Sequence, residues 1–207
     1  MSLYKNKYRV ESARFPGWDY SSNGMYFITI VTQHRVCNLG EIVVVNIPVM
    51  KLSDFGKIVD TEWQKSFEIR NELFSDEYII MPNHLHAIVI INNNESMTVD
   101  VETHGRASLQ SQSILQSQTF HRLPKSISSF LAGFKSAVNS EIDDYIDEND
   151  LNIPKYNRNN HFFQSNYHDH IIRNEKELFR IRQYIKNNAQ NWMADSLNNH
   201  GGLSNEQ

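Results

Sequence analysis

Residues 81–91 read MPNHLHAIVII. After the second histidine the run stays apolar and rich in β-branched residues, with no polar break. That pattern suits a strand buried on both faces better than a helix. Successive side chains of a strand alternate between faces. His84, His86, Ile88 and Ile90 therefore share one face, and Leu85, Ala87, Val89 and Ile91 take the other. A strand apolar on both sides belongs in the middle of its sheet. Pro82-Asn83 just ahead of it is a tight-turn signal, so residues 77–81 read as the first arm of a hairpin.

The remaining elements follow outward from this strand. Residues 25–33 (MYFITIVTQ) follow Ser-Asn-Gly and read as a strand. Residues 41–50 read as another, at an edge, because Pro48 cannot donate to a ladder. Ser53 fits a helix N-cap, and Phe55, Val59, Trp63 and Phe67 recur behind it at helical spacing. From Ser126 a strong helix is predicted, striped by Ile127, Phe130, Leu131, Phe134, Val138 and Ile142. Residues 161–167 are a short aromatic strand candidate. A last helix opens at Asn174, with Glu177 three residues on, and runs to about Trp192. Residues 93–120, Asn-rich and then Ser/Gln-rich, read as a flexible insertion, and 194–207 as a frayed tail. The order predicts one α+β domain over 1–207: an antiparallel sheet with helices packed on it, ferredoxin-like in its simplest topology.

Bulk properties narrow the function classes. A chain of 207 residues suits one domain with a real core. No stretch approaches the ~20 apolar residues of a membrane span. The opening MSLYKNKYRV carries no secretory-type apolar run, and the expected setting is cytoplasmic. One cysteine, Cys37, excludes an internal disulfide and a multi-cysteine zinc site. A net charge of -4 argues against a surface uniformly basic for duplex DNA. Local basic groups exist at Lys5, Lys7, Arg9 and Arg14, and at Arg173, Lys176, Arg180, Arg182 and Lys186. An acidic run lies at 141–150. Each group also reads as a plain solvated face; the asymmetry permits an anionic partner without requiring one.

Two imidazoles side by side on a central strand are costly to bury unless their nitrogens find partners. A divalent cation satisfies both lone pairs at once. On spacing alone, histidines bonded to carbonyls or water are the commoner explanation. A second copy, His168-Asp169-His170, shows how cheaply the pattern arises. It falls in an expected turn before the last helix and is the competing metal site. The last helix, residues 174–192 (NEKELFRIRQYIKNNAQNW), buries Leu178, Ile181, Ile185 and Trp192. Asn188 falls within that stripe, and Tyr184 lies one turn before it. Simple packing, with the hydroxyl at the rim, is the commoner meaning of such a tyrosine. The sharper one is chemical. A phenol can attack a phosphodiester and form a covalent phosphotyrosine, a metal can neutralise the phosphate, and an amide oxygen one turn away can complete the metal site. Arg180, Arg182 and Lys186 flank the tyrosine and suit backbone phosphates.

MPNHLHAIVII resembles the HUH motif (histidine, large apolar residue, histidine) of single-tyrosine transposases. FFQSNYHDHIIRNEKELFRIRQYIKNN at 162–188 resembles the C-terminal signature of REP-associated tyrosine transposases, members of the insertion-sequence transposase superfamily. FPGWDYSSNGMYFITIVTQHR at 15–35 and FLAGFKSAV at 130–138 fit the same family, so the resemblance spans about 15–192. Four ordered matches outweigh the bland reading of any single one. The resemblance implies an HUH endonuclease fold. It implies His84 and His86 as metal-binding histidines, Tyr184 as nucleophile and Asn188 as the polar residue approaching the metal. It implies Mg or Mn as the divalent cation, hairpin and single-stranded DNA as partner, and cleavage that leaves a 5′-phosphotyrosine and a free 3′-hydroxyl. Arg173, Arg180, Arg182, Lys186 and Lys135 are the DNA-binding candidates. The family commonly has proline after the asparagine, where this chain has Ala189, and the Ser/Gln-rich insertion has no clear counterpart. Both departures bear on hairpin recognition.

Two rivals stand beside this reading. One is a domesticated, non-catalytic regulator that docks on hairpin DNA. The other is an unrelated metal hydrolase built on His168 and His170. The sequence leaves both a homodimer and a monomer open, along with the hairpin recognised.

Overall fold

The computed structural model describes residues 3–4, 8–9, 18–93 and 125–198. Most of the expected insertion, the tail from residue 199, and the side chains of Lys5, Lys7, Arg9 and Arg14 lie outside the described residues, as do His104, His121 and His200. A short antiparallel pair, β1 (Leu3–Tyr4) and β2 (Tyr8–Arg9), opens the chain. Then follow β3 (Gly24–Val31), β4 (Gly40–Val44), β5 (Pro48–Leu52), α1 (Asp54–Glu68), β6 (Leu73–Met81), β7 (His84–Ile91), α2 (Ile127–Glu148), β8 (His168–Ile172) and α3 (Glu175–Asn187).

The main sheet has the order β6-β7-β3-β8, every pair antiparallel. Two halves, β3-α1-β6 and β7-α2-β8, meet at the two-residue hairpin Pro82-Asn83, which is the ferredoxin-like arrangement expected. Strand β7 is central and buried along nearly its whole length. Its Leu85, Ala87 and Val89 face join Ile28 and Ile30 of β3 against Val59 and Trp63 of α1 and Phe130, Phe134 and Val138 of α2. Both helices start where the sequence places them. The Ser53 side chain accepts from Gly56 N–H, and Ser126 and Ser129 cap each other reciprocally. The opposite face of β7 carries Ile88, packed with Ile172 of β8 and with Ile181 and Ile185 of α3. Helices thus cover both sides of the sheet's centre.

Four expectations are corrected. Residues 41–50 are not one edge strand. They contribute to two, β4 and β5, which form their own antiparallel hairpin with Pro48 as the first residue of β5, where a missing N–H is tolerated. Residues 161–167 make no strand: Phe162 and Phe163 are buried loop residues, and only an isolated bridge joins Phe163 to Thr32. The fourth strand begins at His168, so the His168–His170 pair rides an edge strand rather than a turn. Its polar start hid it, because an edge strand needs to bury only part of its length. Strand β6 also begins four residues earlier than expected, at Leu73. Between Ser75 and Tyr78 its register slips, so Asp76 and Glu77 together oppose Ile88. Such a bulge breaks the alternation by which a strand is recognised.

Candidate active site

His84 and His86 lie on the α3-facing side of β7, their ring centroids 4.4 Å apart. Both are buried, and so is Asn83 before them. The Asn83 amide is oriented by its surroundings: Nδ2 donates to the carbonyls of Arg35 (3.2 Å) and Leu197 (2.8 Å). Its Oδ1 can therefore only accept, and it lies 2.8 Å from His84 Nδ1. We assign the His84 proton to Nδ1, which leaves Nε2 with a bare lone pair. Nε2 is buried and has no hydrogen-bond partner, and neither has the buried Asn188 Oδ1. The carboxylate of Asp195 brings its Oδ2 to 3.9 Å from His84 Nε2.

His86 is held from both sides. Its Nδ1 lies 2.7 Å from Oγ1 of Thr29, its register partner on β3, and its Nε2 lies 3.1 Å from the Tyr184 hydroxyl. Phe27 stacks on the His86 ring and meets Tyr184 edge-on. Ligand atoms of His84, His86 and Asp195 all lie within 4.8 Å of one another, the one grouping of three such residues among those described. Buried acceptors without a hydrogen-bond partner, His84 Nε2 and Asn188 Oδ1, beside a carboxylate and a second imidazole suit a cation.

Burial holds both imidazoles neutral. His84 is pushed down to about 4, with Asn188 opposing; His86 is pushed down to about 3, with His84 adding to the effect and Asp195 opposing. The unfolded chain binds these protons near pH 6.5 and the folded chain does not. Stability is therefore full above about 6.5 and falls as the pH drops toward 4 and then 3. In EDTA, the urea midpoint is expected to decline steadily from pH 6.5 to 4.5, and to decline less in His86→Gln. A midpoint flat over that window contradicts the burial argument. The Tyr184 phenol is pushed upward, first by burial and then by Asp195, with Asn188 opposing. With the protonated phenol as donor to His86 Nε2, the His86 ring proton sits on Nδ1, toward Thr29 Oγ1.

The sequence-derived residues separate into groups. Tyr184, His84, His86 and Asn188 converge. Lys135 sits away from them, its Nζ reaching the carbonyls of Gln164, Ser165 and Asn166. Arg182 pairs with Asp76 at 2.7 Å and Lys186 with Glu77 at 2.8 Å. Arg180 is 77% exposed with Glu177 3.8 Å away, and Arg173 is exposed. His168 and His170 are exposed, and His170 Nε2 lies 2.7 Å from Glu177 Oε1. Among the described residues they form no three-ligand grouping.

Asp195 escaped the sequence reading. It lies in the stretch expected to fray, yet residues 194–198 are held in place. A short 3-10 turn, Trp192–Ala194, precedes it. Arg35 donates to Ser196 O, Asn83 to Leu197 O, and Asn198 to Trp192 O. Leu197 N–H engages Asp195 Oδ1, which leaves Oδ2 toward the histidines. Trp192, packed with Met81 and Ala189, lies against His84.

Fold and site together define an α+β protein whose central strand presents two buried imidazoles to a carboxylate and a tyrosine. No family model matches the sequence. It is 32% identical over 188 residues to a Haemophilus influenzae (strain ATCC 51907 / DSM 11121 / KW20 / Rd) protein described as uncharacterized, covering 90% of this chain and 91% of that one. The chain belongs to one family with that protein. Similar solved structures include one described as a REP-associated tyrosine transposase bound to a REP hairpin. It has a TM-score of 0.49 and 16% identity, and the match covers 87% of this chain and 72% of that one. Another is a Deinococcus radiodurans R1 protein provisionally described as a transposase, with a TM-score of 0.40 and 15% identity over 84% of this chain and 95% of that one. Among the described residues, no helix is long and apolar enough to cross a membrane.

Proposed function

We propose that this chain is a divalent-metal-dependent DNA transposase of the REP-associated tyrosine kind. In this reading it cleaves and rejoins single-stranded DNA beside a hairpin through Tyr184. The observation that carries the reading is the Tyr184 hydroxyl 3.1 Å from His86 Nε2, in a cluster whose other buried acceptors lack donors. The four sequence motifs that resemble the family support it independently.

His84, His86 and Asp195 would hold the cation, with the Asn188 amide oxygen beside them. Bound there, Mg or Mn supplies positive charge to the non-bridging oxygens of a scissile phosphate. The chain's own residues do the rest. Asn83 fixes the His84 tautomer and Thr29 holds the His86 ring in place, so that each Nε2 faces the site. Phe27 and His86 both pack edge-on to the Tyr184 ring. Tyr184, partly exposed, gives its proton to water and attacks the phosphorus in line. The Tyr184 Oη–P bond forms, the P–O3′ bond breaks, and the departing 3′ oxygen takes a proton to become a hydroxyl. Attack by a 3′-hydroxyl on the phosphotyrosine reverses the sequence and joins strands. Arg180, exposed one turn before Tyr184, would meet a backbone phosphate, with Arg173 nearby in sequence.

The test uses single-stranded oligonucleotides taken from the DNA flanking the chain's own gene. The expected result is a covalent protein–DNA adduct on a denaturing gel with Mn and none in EDTA. Binding of the hairpin oligonucleotide without any adduct under either condition would instead favour the non-catalytic regulator.

A further inference from the structure

We infer that Asp76 and Glu77, the bulge of β6, are positioning residues that set the rotation of α3 and so aim Tyr184 at the metal cluster; this rests on the function proposed above. Ser75 and Tyr78 both point to the α1 side, where they meet Trp63 and Asp60. Residues three apart share a face of a strand only when an extra residue lies between them. Here the pair Asp76-Glu77 opposes the single residue Ile88, which packs under α3. Both carboxylates thereby reach α3. Asp76 Oδ2 takes Arg182 Nε at 2.8 Å and Nη2 at 2.7 Å, and Glu77 takes Lys186 at 2.8 Å.

Arg182 and Lys186 are four apart and so lie on one shoulder of the helix. Tyr184, midway between them in sequence, lies about 200° from Arg182 at ~100° per residue, on the opposite shoulder. A helix pinned along one shoulder cannot roll, and the other shoulder is then fixed. A roll of about 10° would carry a group roughly 6 Å from the axis through ~1 Å. Misplacement on that scale is enough to slow an aligned attack severely. Two basic residues that the sequence offers as phosphate contacts are thus engaged within the fold. The pairs are half-exposed, so their value lies in geometry more than in stability.

Protein labelled with 3-fluorotyrosine provides the test, its Tyr184 19F resonance identified by loss in Tyr184→Phe. Bound Mn is expected to broaden that resonance strongly in the wild type. In the Asp76→Asn/Glu77→Gln double variant the broadening is expected to fall several-fold and adduct formation to slow at least about tenfold, with Mn affinity unchanged. The charge swap Asp76→Arg with Arg182→Asp is expected to restore much of both. Should the double variant fail to fold, Glu77→Gln alone is expected to show the same changes more weakly. Lower thermal stability with unchanged broadening and rate would reduce the pairs to plain structural contacts and overturn the inference. Tighter DNA binding with a faster reaction would overturn it too, by showing Arg182 and Lys186 to be phosphate contacts restrained by the bulge. A wild-type resonance untouched by bound Mn would strike the metal–tyrosine reading itself and, with it, this inference.

Discussion

Replacing Tyr184 by phenylalanine is expected to abolish the covalent protein–DNA adduct, a loss of more than roughly a thousandfold in strand cleavage, as removal of a covalent nucleophile produces. The change deletes one oxygen from a side chain that is 43% exposed, so the fold should survive it. Metal affinity should hold or rise, because the phenol that occupies His86 Nε2 at 3.1 Å is gone. This pairing of outcomes is informative. A general loss of structure would lower cleavage, metal affinity and the melting temperature together, whereas loss of the nucleophile removes the first alone. The adduct is resolved on a denaturing gel, and metal binding by titration with Mn.

The second large effect is expected at the imidazoles. His84→Ala and His86→Ala should each weaken Mn binding by at least about a hundredfold, since each deletes a direct donor where loss of an outer partner alone costs 10–100-fold. Asn83→Ala should fall within that outer-partner range, because it frees the His84 ring and cuts the tie to Leu197 O that holds Asp195 in place. Titration of the four proteins with Mn, after circular dichroism has shown them folded, gives the order. His168→Ala serves as the control, since His168 is exposed on β8 and outside the cluster, and its affinity should match the wild type.

Much of this arrangement could be read from residue order, and the reasons differ from element to element. Strand β7 was legible because it is buried on both faces and spells that out in an unbroken apolar run. The caps at Ser53, Ser126 and Asn174 were legible because capping is a local bond between residues three apart. Tyr184 and Asn188 could be paired because helical spacing makes them neighbours. The start of β6 was hidden by its bulge, which breaks the period of two on which strand recognition depends. Strand β8 opens on His168, and an edge strand with only Ile171 and Ile172 buried gives little alternation to find. Asp195 was beyond local reading altogether. Its place depends on Leu197 O meeting Asn83, 114 residues away, and no spacing rule connects them. The ties of Arg182 and Lys186 to Asp76 and Glu77 are of the same kind, long-range contacts between a strand and a helix about a hundred residues apart that no spacing rule connects.

The most direct measurement is the anomalous difference density of a crystal grown with Mn. The account predicts one peak bound by His84 Nε2, His86 Nε2 and Asp195 Oδ2, with the Tyr184 hydroxyl close enough to meet a phosphate held there. Density on His168 and His170 instead, or a fully occupied Mn site that leaves His84 and His86 untouched, would contradict it.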